Sequence, residues 1–212
     1  MPIYNPQVFE RPDAQAAQAI ILTTEGTHTP QQRWETETLY LRDMIAQWCV
    51  FSETAQVLDF GCGIGRMSAA LIAQVPGVFV GLDISTSMRS QALDYVQSDR
   101  FAVVNPIVAD SMVRKGMRWD LAMAVWVLQH CPDLDAEVRR LYNALASGGL
   151  LFVVDMDHRA IPTTDAGWID DQRSVFDCVC AQFSLVRQQR FDDPHAPPNL
   201  RQSAWVALFQ KT

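Results

Sequence analysis

The chain has 212 residues, a length that suits one α/β domain and is too short for two full domains with a linker. Apolar residues make up 49% and charged residues 19%, which excludes a disordered or fibrous protein. The formal net charge is −7, and Lys115 and Lys211 are the only lysines. The composition therefore disfavours a protein that binds nucleic acid through its phosphate groups. We therefore expect no nucleic acid partner. No apolar run approaches the ~20 residues of a membrane helix, so we expect no membrane partner either.

The five cysteines also restrict the class of protein. Their number is odd, their spacing is not that of paired metal ligands, and we expect no secretory leader before them. Cys178 and Cys180 alternate like part of an apolar surface, which favours packing over redox chemistry. We expect a reduced, cytoplasmic protein without a metal site.

Two helices are predicted before the main α/β pattern begins. Residues 14–22 form a short helical segment, residues 23–30 are a polar break with Gly26, and residues 31–50 form a second helix. Apolar residues of the second helix recur near the helical period, which gives it one face to lay on a core. We therefore predict a helical cap over residues 1–52 and a main domain over residues 53–212.

The main domain alternates short apolar runs with helical segments, a pattern typical of a parallel sheet covered on both faces. The predicted strands are residues 56–60, 78–82, 107–109, 121–125 and 150–154, and the predicted helices are residues 67–74, 87–95 and 134–146. A helix over residues 168–180 and strands over residues 184–190 and 203–210 follow. Only a loop joins the last two strands, so we expect them to pair antiparallel.

The sharpest motif follows the first predicted strand, where Asp59 and Phe60 lead into a loop with glycine at positions 61, 63 and 65. Alternate glycines let a backbone turn tightly and approach a ligand closely. The second strand ends at Asp83, about 20 residues further on, where nucleotide-binding α/β folds place an acid on ribose hydroxyls. Loop and acid together predict a nucleotide or nucleoside site.

The same loop indicates which nucleotide fits. A dinucleotide motif requires a third glycine where this chain has Arg66, and no triphosphate-binding loop is present. The Asp59 carboxylate would repel a diphosphate but suits a ligand with an ammonium or sulfonium charge. A cationic nucleoside is therefore favoured, and an NAD-dependent oxidoreductase is disfavoured.

With these motifs, residues 56–154 resemble a class I S-adenosylmethionine-dependent methyltransferase of the small-molecule type. The resemblance also includes Ala109-Asp110-Ser111 after the third strand and the segment 120–130 around the fourth. It implies an α/β, Rossmann-like, doubly wound sheet of seven strands in the order 3-2-1-4-5-7-6, with strand 7 antiparallel and helices on both faces. It implies S-adenosylmethionine as cofactor and S-adenosylhomocysteine as product.

The resemblance also assigns cofactor contacts. It places the methionine end of the cofactor on the glycine loop, the ribose at the end of the second strand, and the adenine between the ends of the second and third strands. The residues concerned are Asp59, Gly61, Gly63 and Gly65 for the methionine end, Asp83 for the ribose, Ile84, Asp110 and Ser111 for the adenine, and Ala124 for backbone facing the cofactor. Structural alternatives remain, because Asp59 can cap a turn and Asp110 and Ser111 can begin a helix.

Candidates for chemistry and acceptor binding lie after the fourth and fifth strands. Methyl transfer from a sulfonium needs alignment, exclusion of water and, for some acceptors, removal of a proton. His130 titrates near neutrality and is the candidate base, with a hydrogen bond at the next helix as its alternative role. Trp126, His158 and Trp168 are candidate acceptor contacts, although buried packing or a solvated strand end explains them equally well.

The predicted function is methyl transfer to an oxygen or nitrogen of a small-molecule acceptor. The absence of basic patches and accessory domains favours a small acceptor. An aminopropyl-transferring enzyme on the same fold is one alternative, disfavoured because residues 126–130 are apolar where such enzymes have an acid-rich loop. A nucleoside-binding or scaffold protein without catalysis is another, since methyltransferases have no obligatory nucleophile whose absence the sequence would reveal.

Overall fold

Nine strands form two sheets in the computed structural model, which describes residues 3–212. The strands are β1 (Gln56–Phe60), β2 (Val78–Leu82), β3 (Phe101–Val104), β4 (Trp119–Val125), β5 (Leu145–Met156), β6 (Ile161–Thr163), β7 (Gly167–Ile169), β8 (Ser184–Arg190) and β9 (Ala204–Gln210). Seven of them make the main sheet in the order β3-β2-β1-β4-β5-β9-β8, and β6 and β7 form a separate hairpin.

Strands β1 to β5 run parallel, whereas β9 is antiparallel to both of its neighbours, β5 and β8. Because β8 and β9 are the sixth and seventh strands of the main sheet along the chain, the predicted order 3-2-1-4-5-7-6 is confirmed. The predicted antiparallel pairing at the end of the sheet is confirmed as well.

Helices cover both faces of the sheet. They are α1 (Ala14–Ile21), α2 (Pro30–Trp48), α3 (Arg66–Ile72), α4 (Thr86–Val96), α5 (Pro106–Arg114), α6 (Leu134–Ala144), α7 (Val175–Cys180) and α8 (Pro198–Ser203). Neighbouring β1 residues point to opposite faces, so Val57 belongs to the core that contains α1 to α4, and Leu58 belongs to the core that contains α5 to α7. None of the helices described in residues 3–212 is long and apolar enough to cross a membrane.

The predicted third strand over residues 107–109 is wrong, because these residues lie in α5 and the strand is Phe101–Val104. Asn105 caps the helix by accepting a hydrogen bond from the Val108 amide at 2.9 Å, and Pro106 occupies the first helical position. Both residue types favour a helix start at these places. The apolar residues of 107–109 therefore continue a helix and not a strand.

The predicted helix over residues 168–180 is also wrong in its first half. Trp168 lies in β7, which pairs antiparallel with β6, and only Val175–Cys180 is helical. Gly167 starts β7 with φ +67°, and its carbonyl accepts a hydrogen bond from the Thr163 hydroxyl at 2.8 Å. This local bond closes the β6–β7 hairpin, which places Trp168 beside the ends of the main strands.

The N-terminal segment pairs with β6 of this hairpin through backbone hydrogen bonds. Asn5 donates its amide hydrogen to the Pro162 carbonyl, and Thr164 donates to the Ile3 carbonyl, both at 3.0 Å. A short helical turn at Pro6–Phe9 and helix α1 then continue the chain across the carboxyl ends of the parallel strands. We call the described residues 3–22 the roof.

Candidate cofactor and acceptor site

A cavity of about 290 Å³ lies at the carboxyl ends of β1, β2 and β4. Ligands bind at this edge in open α/β sheets. The residues that line the cavity from below are Phe60, Gly61, Gly63, Leu82, Asp83, Ile84, Met88, Pro106, Val125, Trp126, Val127, His130, Cys131, Pro132, Glu137 and Arg140. Tyr4, Phe9, Ile20 and Ile21 of the roof line it from above.

The glycine loop lies directly on the turn after β4. Gly61 has φ +68°, and a Cβ atom added there would lie 2.3 Å from Cγ2 of Val127. Both the backbone conformation and the close approach require glycine. The turn and the contact with Val127 thus require glycine at position 61, and the approach of this backbone to a ligand stays a prediction.

Replacing Gly61 with Ala is expected to destabilise the fold and weaken binding in the cavity. The new methyl group meets a β-branched side chain whose χ1 rotation is restricted, and this steric cost adds to the left-handed backbone cost of about 1–2 kcal/mol. Gly167 is the matched control, because its φ is +67° and no atom lies within 4 Å of an added Cβ. Thermal unfolding of both alanine variants checks this, and an equal loss of stability in the two would contradict it.

The loop amides are already engaged inside the protein. The amides of Gly61 and Cys62 donate to the Leu82 carbonyl at 2.7 and 3.0 Å, and the amide of Gly63 donates to Oδ2 of Asp83 at 2.9 Å. These three donors are therefore not available to a phosphate group. The loop suits a nucleoside better than a dinucleotide.

Arg66 gives a second argument against a dinucleotide. Its side chain is buried, lies over the Trp34 ring with the guanidinium carbon 5.6 Å from the ring centroid, and donates to the Thr38 hydroxyl at 3.2 Å. Both contacts are with α2. The position that a third glycine would occupy in a dinucleotide site is thus a packing position in this protein.

Asp83 is fixed at the edge of the cavity. Its side chain accepts hydrogen bonds from the Gly63 amide and, at 2.8 Å, from the Ser85 amide. Burial raises the pKa of this carboxyl, while the two amides oppose the shift by stabilising the ionised form. Each oxygen keeps a lone pair for a ligand hydroxyl. Ile84 and Pro106 line the cavity beside it and offer apolar surface to a flat ring.

Five of the predicted cofactor residues do not line the cavity, and three of them lie at or behind β1, its loop and β4. Asp59 is buried and accepts hydrogen bonds from the amide and hydroxyl of Ser68 at 3.2 and 2.7 Å, and burial raises its pKa to about 6. Gly65 caps the start of α3 with φ +82°, and Ala124 is fully buried in β4. These residues support the loop and strand from behind.

Asp110 and Ser111 are also placed away from the cavity. They lie inside α5, and Asp110 accepts a hydrogen bond from Nε of Arg140 at 2.9 Å. The expectation that they contact adenine depended on a strand ending at residue 109. Because the strand ends at Val104, Pro106 borders the cavity in their place.

His130 borders the cavity on a short helical turn, Leu128–His130. Its Nδ1 lies 2.6 Å from the Ala160 carbonyl oxygen, which can only accept, so Nδ1 carries the hydrogen and Nε2 holds the lone pair. Burial lowers the pKa of this imidazole below its ordinary value of 6.5. At neutral pH the side chain is therefore an uncharged base.

The segment after β5 holds this turn from below. Oδ2 of Asp155 accepts a hydrogen bond from the Gln129 amide at 3.1 Å, and the Ala160 amide donates to the Gln129 carbonyl at 3.1 Å. Arg159, which is buried, donates to the Cys131 carbonyl. Asp155 is itself fully buried, which raises its pKa to about 7. These residues position His130 and do not themselves reach the cavity lining.

Three aromatic rings meet beside the cavity. The ring centroids of His130 and Trp168 are 5.3 Å apart, those of His130 and Phe9 are 5.8 Å apart, and those of Phe9 and Trp168 are 6.2 Å apart. We call Phe9, His130 and Trp168 the aromatic collar. Trp168 is 47% exposed, so the collar extends from the cavity to the protein surface.

The other two predicted acceptor contacts differ from each other. Trp126 lines the cavity, packs edge-on against Phe191 at 5.4 Å and has φ +58°, a conformation that is rare for a bulky residue and is often found at functional sites. His158 is exposed and does not border the cavity. Residues 3–212 contain no group of three or more His, Cys, Asp or Glu side chains that could hold a metal ion.

Glu10 fastens the roof to the start of α4. Its carboxylate accepts hydrogen bonds from the amides of Thr86 and Ser87 at 2.8 and 2.9 Å and from the Ser85 hydroxyl at 3.0 Å. These bonds lower its pKa to about 2. The sequence gives no sign of this contact, because nothing local to Glu10 indicates a partner so distant along the chain.

Replacing Glu10 with Gln is expected to lower the melting temperature by about 2 °C at pH 7, since an anion at a helix N-terminus is lost. A carboxyl whose pKa is lowered by folding stabilises above its unfolded value of 4.5, and that stabilisation is lost as the pH falls toward 2. The difference from wild type should thus shrink between pH 5 and pH 3. Thermal unfolding over this range tests it, with the exposed Glu53→Gln as control. A pH-independent difference would argue against the ionic contact.

Comparison with known proteins decides the family. The sequence profile described as "Methyltransferase domain" matches residues 31–196, which is more than half of the chain. The chain belongs to the class I S-adenosylmethionine-dependent methyltransferase family. This confirms the resemblance seen in the motifs, and the cofactor of that family is the group that the cavity has to fit.

Individual methyltransferases show the extent of the similarity. A trans-aconitate 2-methyltransferase of Variovorax paradoxus (strain S110) is 33% identical over 167 residues, which cover 74% of this chain and 62% of the relative. A ubiquinone biosynthesis O-methyltransferase of Bartonella quintana (strain Toulouse) is 28% identical over 102 residues, covering 48% and 41%. The chain thus spans less than two thirds of the length of these curated relatives.

A solved methyltransferase structure shares the fold. N-methyltransferase NodS from Bradyrhizobium japonicum WM9, in complex with S-adenosylhomocysteine, aligns with a TM-score of 0.63 at 16% identity, over 92% of this chain and 96% of that one. At this identity the similarity extends to the fold alone. The geometry of the cavity itself also fits the family's cofactor. It combines a fixed carboxylate, apolar side chains beside that carboxylate, and a loop whose three amides are already bonded within the protein.

Proposed function

We propose that this methyltransferase transfers the methyl group of S-adenosylmethionine to an oxygen or nitrogen of a small-molecule acceptor. The observation that carries the proposal is the location of a neutral, hydrogen-bonded His130 in the same cavity as the fixed carboxylate of Asp83. S-adenosylmethionine supplies a methyl group that its positive sulfur already activates. The protein then has to align the reactants, exclude water and take up a proton.

The cofactor residues follow from the cavity lining. Asp83 accepts hydrogen bonds from the ribose hydroxyls, Ile84 and Pro106 flank the adenine, and the backbone at Gly61 and Gly63 lies along the methionine end. The location of these residues at three adjoining strand ends supports the assignment. Asp59 and Gly65 contribute by supporting the loop.

His130 accepts the proton of the acceptor on Nε2. The Ala160 carbonyl keeps its hydrogen bond to Nδ1–H and stabilises the imidazolium that forms. In the balanced reaction the acceptor atom gains the methyl group, the methyl–sulfur bond breaks with its electron pair on sulfur, and the proton passes through His130 to solvent. S-adenosylhomocysteine is the other product.

The roof and the collar complete the site. Tyr4, Phe9, Ile20 and Ile21 cover the cavity, which supports a cap function for the N-terminal 52 residues in excluding water. Trp126 and Trp168 contact the acceptor. Coverage of the cavity by the roof favours a small acceptor over a macromolecule. We place the enzyme in the cytoplasm, in keeping with its five free cysteines.

The first experiment tests cofactor binding and transfer separately. Calorimetry should show binding of S-adenosylmethionine and S-adenosylhomocysteine and none of NAD. Incubation with methyl-labelled S-adenosylmethionine should label compounds of a metabolite extract. Label found only in RNA or bulk protein would contradict a small acceptor. Cofactor binding without any label would favour the nucleoside-binding alternative.

A further inference from the structure

The charged side chains that line the cavity all have partners within the described part of the chain. They are Asp83, Glu137 and Arg140. Asp83 accepts from two backbone amides, and Arg140 pairs with Glu137 on one side and with Asp110, at 2.9 Å, on the other. The single cation of the lining is thus neutralised by two carboxylates. No unpaired positive group therefore faces an acceptor, and the one carboxylate without a cationic partner, Asp83, is the one assigned to the ribose.

The part of the cavity beside His130 is apolar and aromatic. Phe9 and Trp126 border it, the imidazole is uncharged at neutral pH, and Trp168 continues the aromatic surface outward. A polyanionic acceptor would lose hydration here without meeting a cation, and an ammonium group would lose it without meeting a free carboxylate. Both transfers are costly in an apolar site.

We infer that the acceptor is an uncharged, planar aryl alcohol that lays its ring on the aromatic collar and directs its hydroxyl to Nε2 of His130. This inference rests on the proposed function and narrows its acceptor. A hydroxyl needs a base, because its proton must leave as the oxygen is methylated, whereas a neutral amine attacks with a lone pair it already has. The acceptor class therefore differs from the tricarboxylate named for the Variovorax relative.

The test measures acceptor binding by calorimetry in the presence of saturating S-adenosylhomocysteine, so that no turnover is required. The probes are 2-naphthol, trans-aconitate and phosphoethanolamine. We expect 2-naphthol to bind at least tenfold more tightly than the other two. Trp168→Leu should weaken 2-naphthol binding about fivefold, which corresponds to the loss of about 1 kcal/mol from one aromatic pair.

Trp48→Leu is the matched control, because Trp48 packs against Phe152 and Arg187 at the far end of α2 and does not line the cavity. It should leave 2-naphthol binding unchanged. Phe9→Leu provides a second collar variant if Trp168→Leu does not fold, and it should show the same loss. Trp168→Leu should keep S-adenosylhomocysteine affinity within about twofold of wild type, because Trp168 does not border the cavity that holds the cofactor.

Tighter binding of trans-aconitate or phosphoethanolamine than of 2-naphthol would overturn the inference while leaving the proposed function intact. Unchanged 2-naphthol binding in both collar variants would overturn it as well. Failure of the wild-type protein to bind S-adenosylhomocysteine would instead overturn the proposed function, and this inference with it.

Discussion

Replacing His130 with Ala is expected to lower turnover about 100-fold or more at saturating S-adenosylmethionine, while S-adenosylhomocysteine affinity stays within about twofold. The reason is that His130 combines the three properties that a general base needs. It borders the cavity, its Nδ1 is held by the Ala160 carbonyl, and burial keeps it uncharged at neutral pH. Steady-state kinetics and calorimetry on one preparation measure both quantities.

The pH profile adds a readout that a merely structural histidine would not affect. Only neutral imidazole accepts a proton, so turnover should rise with pH through the pKa of His130. Burial lowers that pKa, and the rise should therefore be centred below the ordinary value of 6.5. The residual activity of His130→Ala should lack this rise.

His158→Ala is the matched control, since His158 is exposed and does not border the cavity. It should retain both the rate and the pH profile of wild type. Equal turnover in His130→Ala and wild type would show that His130 only forms a hydrogen bond at the turn after β4.

An Asp155→Asn variant that lowers turnover without shifting cofactor affinity would show that the support below His130 matters, because Asp155 contacts the Gln129 amide and not the cavity.

The strand order implied by the family resemblance is correct, and the motifs that carry the resemblance are local. Residues 56–83 contain a strand, a glycine-rich turn and an acid at the end of the next strand. Each of these features requires a particular backbone conformation. The third strand shows where locality misleads. Residues 107–109 are apolar and partly β-branched, but Asn105 and Pro106 before them start a helix. Because the third strand was predicted to end at residue 109, Asp110 and Ser111 were expected at a strand end, whereas they lie inside α5.

The proposed acceptor side of the cavity is harder to predict because it is assembled from segments far apart in the chain. Phe9 meets His130 and Trp168 only after the roof crosses the strand ends, and Glu10 meets α4 only then as well. The tautomer of His130 depends on Ala160, whose carbonyl carries no side-chain signal. The residue types indicated His130 and Trp168 as site residues. Their spacing in the sequence does not show that their rings contact each other or that His130 bonds the Ala160 carbonyl.

Replacing Asp83 with Asn is expected to weaken S-adenosylhomocysteine binding by about 2 kcal/mol, or about 30-fold, because charge-assisted hydrogen bonds to the ribose hydroxyls are lost. Asn is nearly the same size, so the cavity keeps its shape. The comparison variant is Asp59→Asn, since Asp59 is buried behind the loop and bonds Ser68 instead of facing the cavity. Calorimetry should show a much smaller loss for it.

A loss in Asp83→Asn could also come from the Gly63 amide, which donates to the same carboxylate. Adenosine and 2′,3′-dideoxyadenosine separate the two causes. If Asp83 binds the hydroxyls, the substitution weakens adenosine about 30-fold and leaves the dideoxy compound nearly unchanged, because that ligand has no hydroxyls to lose. If the carboxylate only holds the loop, both ligands weaken equally, and the ribose assignment is wrong. The cycle thus isolates the ligand contact from the support of Gly63.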